Sequence, residues 1–168
     1  MSESPGVIAY IALGSNLDDP PRQIRSAVAA LRELPQSRLN ACSSLYRSRP
    51  LGPSDQPEYV NAVAALQTAL APEQLLEQLQ CIELQHGRVR TAQRWGPRTL
   101  DLDIVLYGAQ QIDTPRLTVP HYAMAERHFV LYPLQEIADP RLVIPGRGAL
   151  AELVAACNDQ GLELLTTC

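Results

Sequence analysis

The stretch that decides the fold runs Thr99-Leu100-Asp101-Leu102-Asp103-Ile104-Val105-Leu106-Tyr107. Apolar residues alternate with two aspartates at its start. Because successive side chains of a strand point to opposite faces, this alternation predicts a β-strand over 99–107. We expect Asp101 and Asp103 to share one face of the strand, with Val105 and Tyr107 further along that face. The even-numbered positions should form the opposite, buried face: Leu100, Leu102, Ile104 and Leu106.

The residues before this strand are strongly basic. Four arginines fall within residues 88–98, and no acidic side chain lies between Glu83 and Asp101. Neighbouring guanidinium groups repel one another unless an anion lies among them, and paired carboxylates repel unless a cation lies between them. Carboxylates on alternate strand residues, about 6.5–7 Å apart, can converge on two metal ions about 3.5–4 Å apart. Magnesium with a nucleotide triphosphate would therefore satisfy both groups at once.

The rest of the core alternates strand and helix patterns. Apolar or alternating runs predict strands over 7–13, 39–46 and 59–68, and periodic apolar residues predict helices over 18–35 and 72–87. With the aspartate strand, the order is strand, helix, strand, strand, helix, strand. This is the ferredoxin-like split βαβ pattern (βαββαβ). We therefore predict an α+β fold in which helices pack on an antiparallel sheet.

C-terminal additions follow this core. Residues 110–145 are irregular and punctuated by proline, with a short helix predicted over 130–137 and a strand over 142–144. A last helix is predicted over 149–157. No internal repeat or change of composition divides the chain, so we expect a single domain over 1–168.

Bulk composition excludes several classes of protein. A hydrophobic content of 46% and a charged content of 19% predict a globular chain. There are fourteen arginines and no lysine, which excludes enzymes that need a P-loop lysine or a Schiff-base lysine. The net charge of −4 argues against a nucleic-acid partner and against binding to a membrane surface.

The cysteines and the N-terminal residues indicate a compartment. The four cysteines have the spacing of neither a zinc site nor a disulfide framework. Residues 1–6 lack the basic start and apolar core of a signal peptide, and no apolar stretch approaches the length of a membrane span. We therefore expect a cytoplasmic protein, and we expect it to be a monomer.

Several short segments carry a resemblance to a known family. The most specific reads Trp95-Gly96-Pro97-Arg98-Thr99-Leu100-Asp101-Leu102-Asp103-Ile104. Others read Ala12-Leu13-Gly14-Ser15-Asn16-Leu17, Ser44-Leu45-Tyr46-Arg47-Ser48, Gln56-Pro57-Glu58-Tyr59-Val60-Asn61, Gly87-Arg88-Val89-Arg90, Leu117-Thr118-Val119-Pro120-His121-Tyr122 and Arg127-His128-Phe129-Val130-Leu131-Tyr132-Pro133-Leu134. In order and spacing these segments, which span about residues 8–145, resemble the 6-hydroxymethyl-7,8-dihydropterin pyrophosphokinases of folate biosynthesis.

The resemblance implies a reaction and a set of site residues. Such an enzyme moves the β,γ-pyrophosphoryl group of ATP to the hydroxymethyl oxygen of the pterin and releases AMP. The implied catalytic residues are Arg88, Arg98, Asp101 and Asp103, of which the two aspartates hold two Mg²⁺ ions that bridge the ATP phosphates. The implied ATP-binding residues are Glu83, Arg88, Arg90, Trp95, Arg98, Ile104, Arg116, Thr118, His121, Tyr122 and Arg127. The implied pterin-binding residues are Gly14, Asn16, Ser48, Arg49, Leu51, Tyr59, Asn61, Trp95 and Phe129.

Elementary chemistry agrees with these roles. The resemblance implies that Tyr59 and Phe129 sandwich the pterin ring, and a planar heterocycle binds well between aromatic faces. It also implies that Asn61 and Ser48 form hydrogen bonds to the polar edge of the ring, and an amide can both donate and accept such bonds. The proton of the attacking alcohol would pass to Asp103 or to water.

Some positions depart from the family pattern. Ser48 and Arg49 stand where the family has a threonine and often an acidic residue or proline, and Thr91 stands where a basic residue is common. Residues after about 145 carry no functional signal.

Three other functions compete with this one. A polymerase-β-like nucleotidyltransferase also has Gly-Ser and Asp-x-Asp elements, but they lie close together, whereas Ser15 is far from Asp101 here. A haloacid-dehalogenase phosphatase has its aspartate pair at the end of an apolar strand, whereas this pair begins one. An RNA-binding ferredoxin-like module would show a basic surface and aromatic residues on its central strands.

Overall fold

The computed structural model describes residues 6–16, 19–48, 59–86, 100–121, 124–157 and 162–166. The longer strands are β1 (Val7–Ser15), β2 (Ser37–Cys42), β3 (Leu45–Ser48), β4 (Tyr59–Thr68) and β5 (Asp101–Tyr107). The shorter strands are β6 (Ile112–Asp113), β7 (Thr118–Val119), β8 (Val143–Ile144), β9 (Gly148–Ala149) and β10 (Glu163–Thr166). The helices are α1 (Pro20–Arg32), α2 (Pro72–Gln85), α3 (His128–Ile137) and α4 (Leu150–Ala156), with a 3-10 turn over Met124–Glu126.

The main sheet has the order β10-β3-β4-β1-β5, and β2 also pairs with β4. All of these pairings are antiparallel. In chain order the core elements are β1, α1, β2 and β3, β4, α2 and β5. The two short strands β2 and β3 together occupy one position in the sheet, on one side of β4. The predicted ferredoxin-like βαββαβ core and the α+β class are confirmed.

The second predicted strand, over 39–46, is two strands in the structure. Both β2 and β3 pair with β4, and Ser43 lies in the break between them. Its backbone N–H donates to the carbonyl of Val63 at 2.8 Å, and its hydroxyl accepts from the backbone N–H of Val63 at 2.9 Å. The hydroxyl of Ser43 thus takes the place of a backbone carbonyl as the acceptor for Val63. Serine side chains often bond to the backbone in this way, but the alternation of residues in a strand does not reveal it.

Helices α1 and α2 cover one face of the sheet, in agreement with the prediction that helices pack on it. Their buried residues recur at helical spacing: Ile24, Ala27, Val28 and Leu31 in α1, and Leu75, Leu79 and Ile82 in α2. Each helix has proline in its first turn, where the missing N–H has no intrahelical partner to lose. These side chains pack on Ile11 and Leu13 of β1 and on Leu66 of β4, which forms the larger core.

Helices α3 and α4 cover the other face. Leu131 and Leu134 of α3 pack with Val63 of β4 and with Leu106 of β5 in a second core. The predicted helix over 130–137 begins two residues earlier, at His128, and the predicted last helix corresponds to α4.

Glu136 ties the end of α3 to the start of β3. Its carboxylate accepts hydrogen bonds from the backbone N–H of Ser44 at 3.0 Å, from the Ser44 hydroxyl at 2.9 Å and from the Tyr46 hydroxyl at 2.6 Å. Burial, and next the bond to Glu136, raise the pKa of Tyr46. Since β3 carries residues of the candidate site, this contact helps to set the position of that site.

The predicted faces of β5 are correct up to Val105 and wrong for Leu106 and Tyr107. Ile104 pairs with Ile11, but Leu106 pairs with Tyr10, so Val105 is an extra residue that forms a β-bulge. A bulge reverses the alternation of side chains. Tyr107 therefore joins Ile104 in the larger core, on the face opposite to Asp103, while Leu106 packs in the second core.

Several short elements were not predicted. β6 pairs with β7, β8 pairs with β9, and β10 adds an edge strand beside β3. Of the predicted strand over 142–144, β8 keeps the last two residues. Across the described ranges, no helix is long and apolar enough to cross a membrane.

Candidate active site

The candidate site is a row of residues across neighbouring strands. Gly14 of β1 lies between Asn61 of β4 on one side and Asp101 of β5 on the other. Two residues back along β1, Ala12 pairs with Asp103. Neighbouring strands are about 4.8 Å apart, so Asn61 and Asp101 lie about 10 Å apart across Gly14. The predicted pterin-binding and metal-binding residues thus meet at one end of the sheet.

Gly14 is needed because its surroundings leave little room for a side chain. A Cβ atom at this position would lie 3.3 Å from Oδ1 of Asn61 and 3.8 Å from Cδ1 of Tyr59. The missing side chain points to the same face as these two predicted pterin-binding residues. Gly14 therefore keeps open the space between the amide of Asn61 and the carboxylates of β5.

Asn61 and Ser48 are bonded to each other. The side-chain amide of Asn61 donates to the hydroxyl of Ser48 at 2.6 Å, and both residues are buried. The sequence predicted that both would bond the pterin directly. In the structure, Ser48 orients the Asn61 amide, because a bonded amide nitrogen restricts where the amide oxygen can point. Asn16, which follows β1, is also buried.

Two aromatic residues border this region. Tyr59, half-buried, pairs with Ser48, and Phe129 lies half-buried in the first turn of α3. The guanidinium carbon of Arg127 is 5.5 Å from the centre of the Phe129 ring, within the range of a cation–π contact. Arg127 thus joins the predicted phosphate-binding region to the predicted pterin-binding region.

The two aspartates begin β5. Asp101 is half-buried and Asp103 is exposed, while Leu102 between them is buried in the larger core. Ile104, predicted to contact ATP, is buried in that same core, so its side chain faces away from the site. Any contact that Ile104 makes with a nucleotide on the aspartate face would come from its backbone.

Glu83 contacts the backbone of β5 at Leu102, between the two aspartates. It is in the last turn of α2 and only 4% exposed, and its Oε2 atom accepts a hydrogen bond from the backbone N–H of Leu102 at 2.8 Å. The sequence predicted a contact between Glu83 and ATP, whereas the structure places its carboxylate against the strand that carries the aspartates.

His121 lies beside β5, where its backbone N–H donates to the carbonyl of Val105 at 3.0 Å. Burial, followed by the positive charges of Arg127 and Arg147, lowers the pKa of His121 from 6.5 to about 4. The imidazole is therefore neutral at physiological pH, in a region of positive potential suited to an anion.

Arg147 is a candidate that the sequence did not reveal. It lies in the turn between β8 and β9, and its charge acts on His121. Its only sequence signal is its position between Gly146 and Gly148, a pattern common in ordinary turns. Its place near His121 comes from the packing of the C-terminal additions against β5.

Arg116 and Thr118 lie in and beside the hairpin of β6 and β7, and Arg116 contacts α2. Arg116 is in the turn between β6 and β7, where its guanidinium lies 3.4 Å from the carboxylate of Glu77 in α2. Both side chains of this pair are exposed, and Thr118 is exposed in β7. A surface pair of this kind contributes little to stability, so Arg116 is available for a ligand at low cost.

Several predicted site residues lie outside the described residues: Arg49, Leu51, Arg88, Arg90, Trp95, Arg98 and Tyr122. Within the described part of the chain, no group of three or more His, Cys, Asp or Glu side chains is arranged to hold a metal ion. Asp101 and Asp103 would thus need further oxygen ligands. Magnesium commonly binds through one or two carboxylates together with substrate phosphates and water.

Comparison with known sequences identifies the family. The profile described as 7,8-dihydro-6-hydroxymethylpterin-pyrophosphokinase (HPPK) matches residues 10–139. A Pseudomonas aeruginosa protein named 2-amino-4-hydroxy-6-hydroxymethyldihydropteridine pyrophosphokinase is 59% identical over 93% of this chain and 95% of its own length. Proteins of the same name from Haemophilus influenzae and Bacillus subtilis are 56% and 48% identical, over 74% and 73% of this chain and 77% and 73% of their own lengths.

Comparison with solved structures agrees on the fold. A structure of Plasmodium falciparum HPPK-DHPS with pteroate matches with a TM-score of 0.70 at 14% identity, over 92% of this chain and 43% of that one. A structure of HPPK-DHPS in complex with substrates matches with a TM-score of 0.71 at 12% identity, over 91% of this chain and 43% of that one. This chain spans less than half of those longer proteins, and at such low identity the likeness shows the fold alone. The profile match and the sequence relatives, by contrast, show the family. This chain belongs to the 7,8-dihydro-6-hydroxymethylpterin-pyrophosphokinase family.

Proposed function

We propose that this chain carries out the reaction of its family at the end of β1, β4 and β5. It transfers the pyrophosphoryl group of ATP to the hydroxymethyl oxygen of 6-hydroxymethyl-7,8-dihydropterin, as a step of folate biosynthesis, and releases AMP. The observation that carries this site is the row from Asn61 through Gly14 to Asp101. It puts the backbones of Asn61 and Asp101 about 10 Å apart on the two sides of Gly14, which leaves space for a bicyclic ring between their side chains.

The pterin half of the site is Asn61 with the aromatic residues on either side. The Asn61 amide, oriented by Ser48, meets the polar edge of the ring. Tyr59 and Phe129 provide the aromatic faces, and Gly14 leaves the ring room to approach β1. The resemblance adds Asn16, Arg49, Leu51 and Trp95 to this half.

The phosphate half of the site is basic. His121 and Arg127 lie on the α3 side of β5, and Arg116 and Thr118 lie towards α2. A triphosphate between them would receive hydrogen bonds from a neutral imidazole and from guanidinium groups, whose fork matches phosphate oxygens. The resemblance adds Arg88, Arg90, Arg98 and Tyr122 to this half.

Asp101 and Asp103 are the residues that would hold two Mg²⁺ ions. They lie on one face of β5, and Asp103 is exposed enough to accept a hydrated cation. If these two carboxylates are the ligands from the described part of the chain, the remaining ligands would be ATP phosphate oxygens and water. When bound, the ions would neutralise the negative charge of the triphosphate.

The chain's own groups then act mainly by positioning. The pterin hydroxymethyl oxygen forms a bond to the β-phosphorus of ATP, and the bond between that phosphorus and the α,β-bridging oxygen breaks, so that AMP leaves. Arginine side chains around the phosphates stabilise the charge that develops, and fixed donors of this kind need no rearrangement during the reaction. The hydroxyl proton passes to Asp103 or to water.

A single assay tests the reaction. ATP and reduced hydroxymethylpterin are incubated with the protein and Mg²⁺, and the nucleotide product is identified. AMP formed in equal amount to pyrophosphorylated pterin is expected, whereas ADP would indicate a simple kinase and no turnover would indicate a binding protein. Asp103→Ala should abolish most turnover with the fold intact, and normal turnover at saturating Mg²⁺ in this variant would remove the metal assignment.

We also propose that the enzyme is a cytoplasmic monomer. The row from Asn61 to Asp101 is built within one chain, which supports a site formed by a single subunit. Among the described cysteines, Cys42, Cys81 and Cys157 form no disulfide, as expected in a reducing compartment. Sedimentation of the protein with and without substrates would test the oligomeric state.

A further inference from the structure

Glu83 is a buried acidic side chain in an apolar setting. It follows Leu79 and Ile82 on the buried side of α2, and only 4% of its surface is exposed. An ionised carboxylate in such a place is costly unless hydrogen bonds stabilise it. One such bond comes from the backbone N–H of Leu102, 2.8 Å from Oε2.

The bond lies at the edge of the main sheet. β5 is the last strand of the order β10-β3-β4-β1-β5, so among the described residues one side of it has no neighbouring strand in that sheet. In an antiparallel pair, the backbone groups of successive residues point alternately towards the partner strand and away from it. The N–H of Leu102 points away from β1 towards Glu83, and those of Asp101 and Asp103 therefore point towards β1.

Through this hydrogen bond, Glu83 influences the orientation of the side chains of both Asp101 and Asp103. Leu102 is the residue between them, and β5 begins at Asp101. The first residues of an edge strand form backbone hydrogen bonds to one neighbouring strand only. They fray unless other groups bond to the free side of the strand. A hydrogen bond to a charged acceptor is about twice as strong as a neutral one, which suits a carboxylate to this task.

We propose that Glu83 is a positioning residue: through its hydrogen bond to Leu102 it holds Asp101 and Asp103 towards the metal ions, and it contacts neither the metals nor ATP. The inference rests on the proposed metal site. It replaces the expectation of a direct contact between Glu83 and ATP. It also fits the finding that no three potential metal ligands cluster in the described part of the chain.

The test separates the hydrogen bond from the charge. In Glu83→Gln the amide oxygen still reaches the N–H of Leu102, but the charge is gone. In Glu83→Asp the charge stays, but the shorter side chain cannot reach. Glu83→Met removes both, and Glu73→Met, at an exposed position in the first turn of the same helix, is the matched control.

Three measurements are made on each variant. They are Mn²⁺ binding by electron paramagnetic resonance with a non-hydrolysable ATP analogue present, hydrogen exchange at the Leu102 amide, and the Mg²⁺ concentration for half-maximal activity. We expect Glu73→Met to resemble the unaltered protein and Glu83→Gln to bind Mn²⁺ only slightly more weakly, because its hydrogen bond to Leu102 remains but is neutral. Glu83→Asp and Glu83→Met should bind Mn²⁺ about tenfold or more weakly, the size of effect typical of residues that orient metal ligands. Exchange at Leu102 should be faster in both.

Two outcomes would overturn the proposal. Weak Mn²⁺ binding in Glu83→Gln with normal binding in Glu83→Asp would show that the charge acts directly on the metals or on ATP. Normal Mn²⁺ binding in Glu83→Asp would show that the hydrogen bond is not needed. If Glu83→Met does not fold, the Mn²⁺ affinities of Glu83→Gln and Glu83→Asp are compared with each other, and this comparison tests the proposal without Glu83→Met.

Asp103→Asn, measured in parallel, keeps this proposal distinct from the metal assignment. Normal Mn²⁺ binding in Asp103→Asn would refute the metal site itself, and with it any role for Glu83 in holding that site. Loss of Mn²⁺ binding in Asp103→Asn, together with normal binding in Glu83→Asp, would refute the Glu83 proposal alone.

Discussion

The side-chain amide of Asn61 donates a hydrogen bond of 2.6 Å to the hydroxyl of Ser48. The two residues lie on neighbouring strands, β4 and β3, and both are buried. The bond limits the rotation of the Asn61 amide before any ligand arrives. A polar group oriented in this way binds a ring edge at a lower entropic cost than a mobile one.

Replacing Ser48 with alanine should therefore weaken pterin binding. Each binding event must then order the Asn61 amide, at about 0.5–1.5 kcal/mol, or roughly two- to tenfold in affinity. Ser48→Thr keeps the hydroxyl and is the control. Calorimetry with pterin and, separately, with a magnesium–ATP analogue measures both affinities. Unchanged pterin affinity in Ser48→Ala would contradict the orienting role.

Adding a methyl group at Gly14 should disturb the same amide. The new Cβ would lie 3.3 Å from Oδ1 of Asn61, so the amide must move by a few tenths of an ångström. Overpacking of this kind costs about 1–3 kcal/mol, and we expect most of it to appear as weaker pterin binding. Gly14→Ala should leave the affinity for the ATP analogue nearly unchanged.

A double-mutant cycle checks the cause of that loss. If contact with the amide is responsible, Gly14→Ala should have little further effect on pterin binding in an Asn61→Ala background. Equal effects of Gly14→Ala in both backgrounds would mean that the methyl group meets the pterin itself.

The pKa of His121 predicts a pH dependence. Folding lowers it from 6.5 to about 4, so the unfolded chain takes up a proton at a higher pH than the folded one. The contribution of His121 to stability is thus fully present above pH 6.5 and is lost as the pH falls towards 4. Urea unfolding between these pH values should show this loss, and His121→Asn should lack it.

The phosphate assignment of His121 adds a second expectation. A bound triphosphate brings negative charge close to the imidazole and should raise its pKa, and loss of the Arg147 charge should raise it slightly. Nuclear magnetic resonance titration of His121 in the protein, in Arg147→Gln and in the complex with a magnesium–ATP analogue measures all three values. An identical pKa with and without the nucleotide would argue against a phosphate contact.

Glu136 should matter for stability more than for catalysis. Glu136→Ala removes the acceptor for the Ser44 N–H and for the hydroxyls of Ser44 and Tyr46. Lost hydrogen bonds to a charged group predict a decrease of about 1–3 kcal/mol in the free energy of unfolding. Denaturant unfolding measures it, with Gln135→Ala as the exposed neighbouring control. The pKa of Tyr46 should also fall towards its ordinary value, although burial still raises it.

Local patterns predicted much of the fold. α1, α2 and β4 were expected from the spacing of their apolar residues, and the common face of Asp101 and Asp103 from strand alternation. Such features depend on residues close together in the chain, whose geometry a helix or strand determines by itself. The family resemblance then implied roles for separate residues that no local pattern could connect.

Long-range contacts decided the rest. The break at Ser43 depends on Val63, and the bulge at Val105 depends on how β5 pairs with β1. Neither is visible within its own segment, because an interrupted ladder and a continuous one have similar alternation.

The sequence by itself determined the α+β class, the order of the core elements, the family and the residue types of the site. Only the tertiary structure decided that Asn61, Gly14 and Asp101 form one row, and that Glu83 accepts a hydrogen bond from Leu102, between the two aspartates. It also decided that Arg147 acts on His121. The physical reason is that strand register, burial and electrostatic neighbours arise between segments far apart in the chain, where folding brings them together.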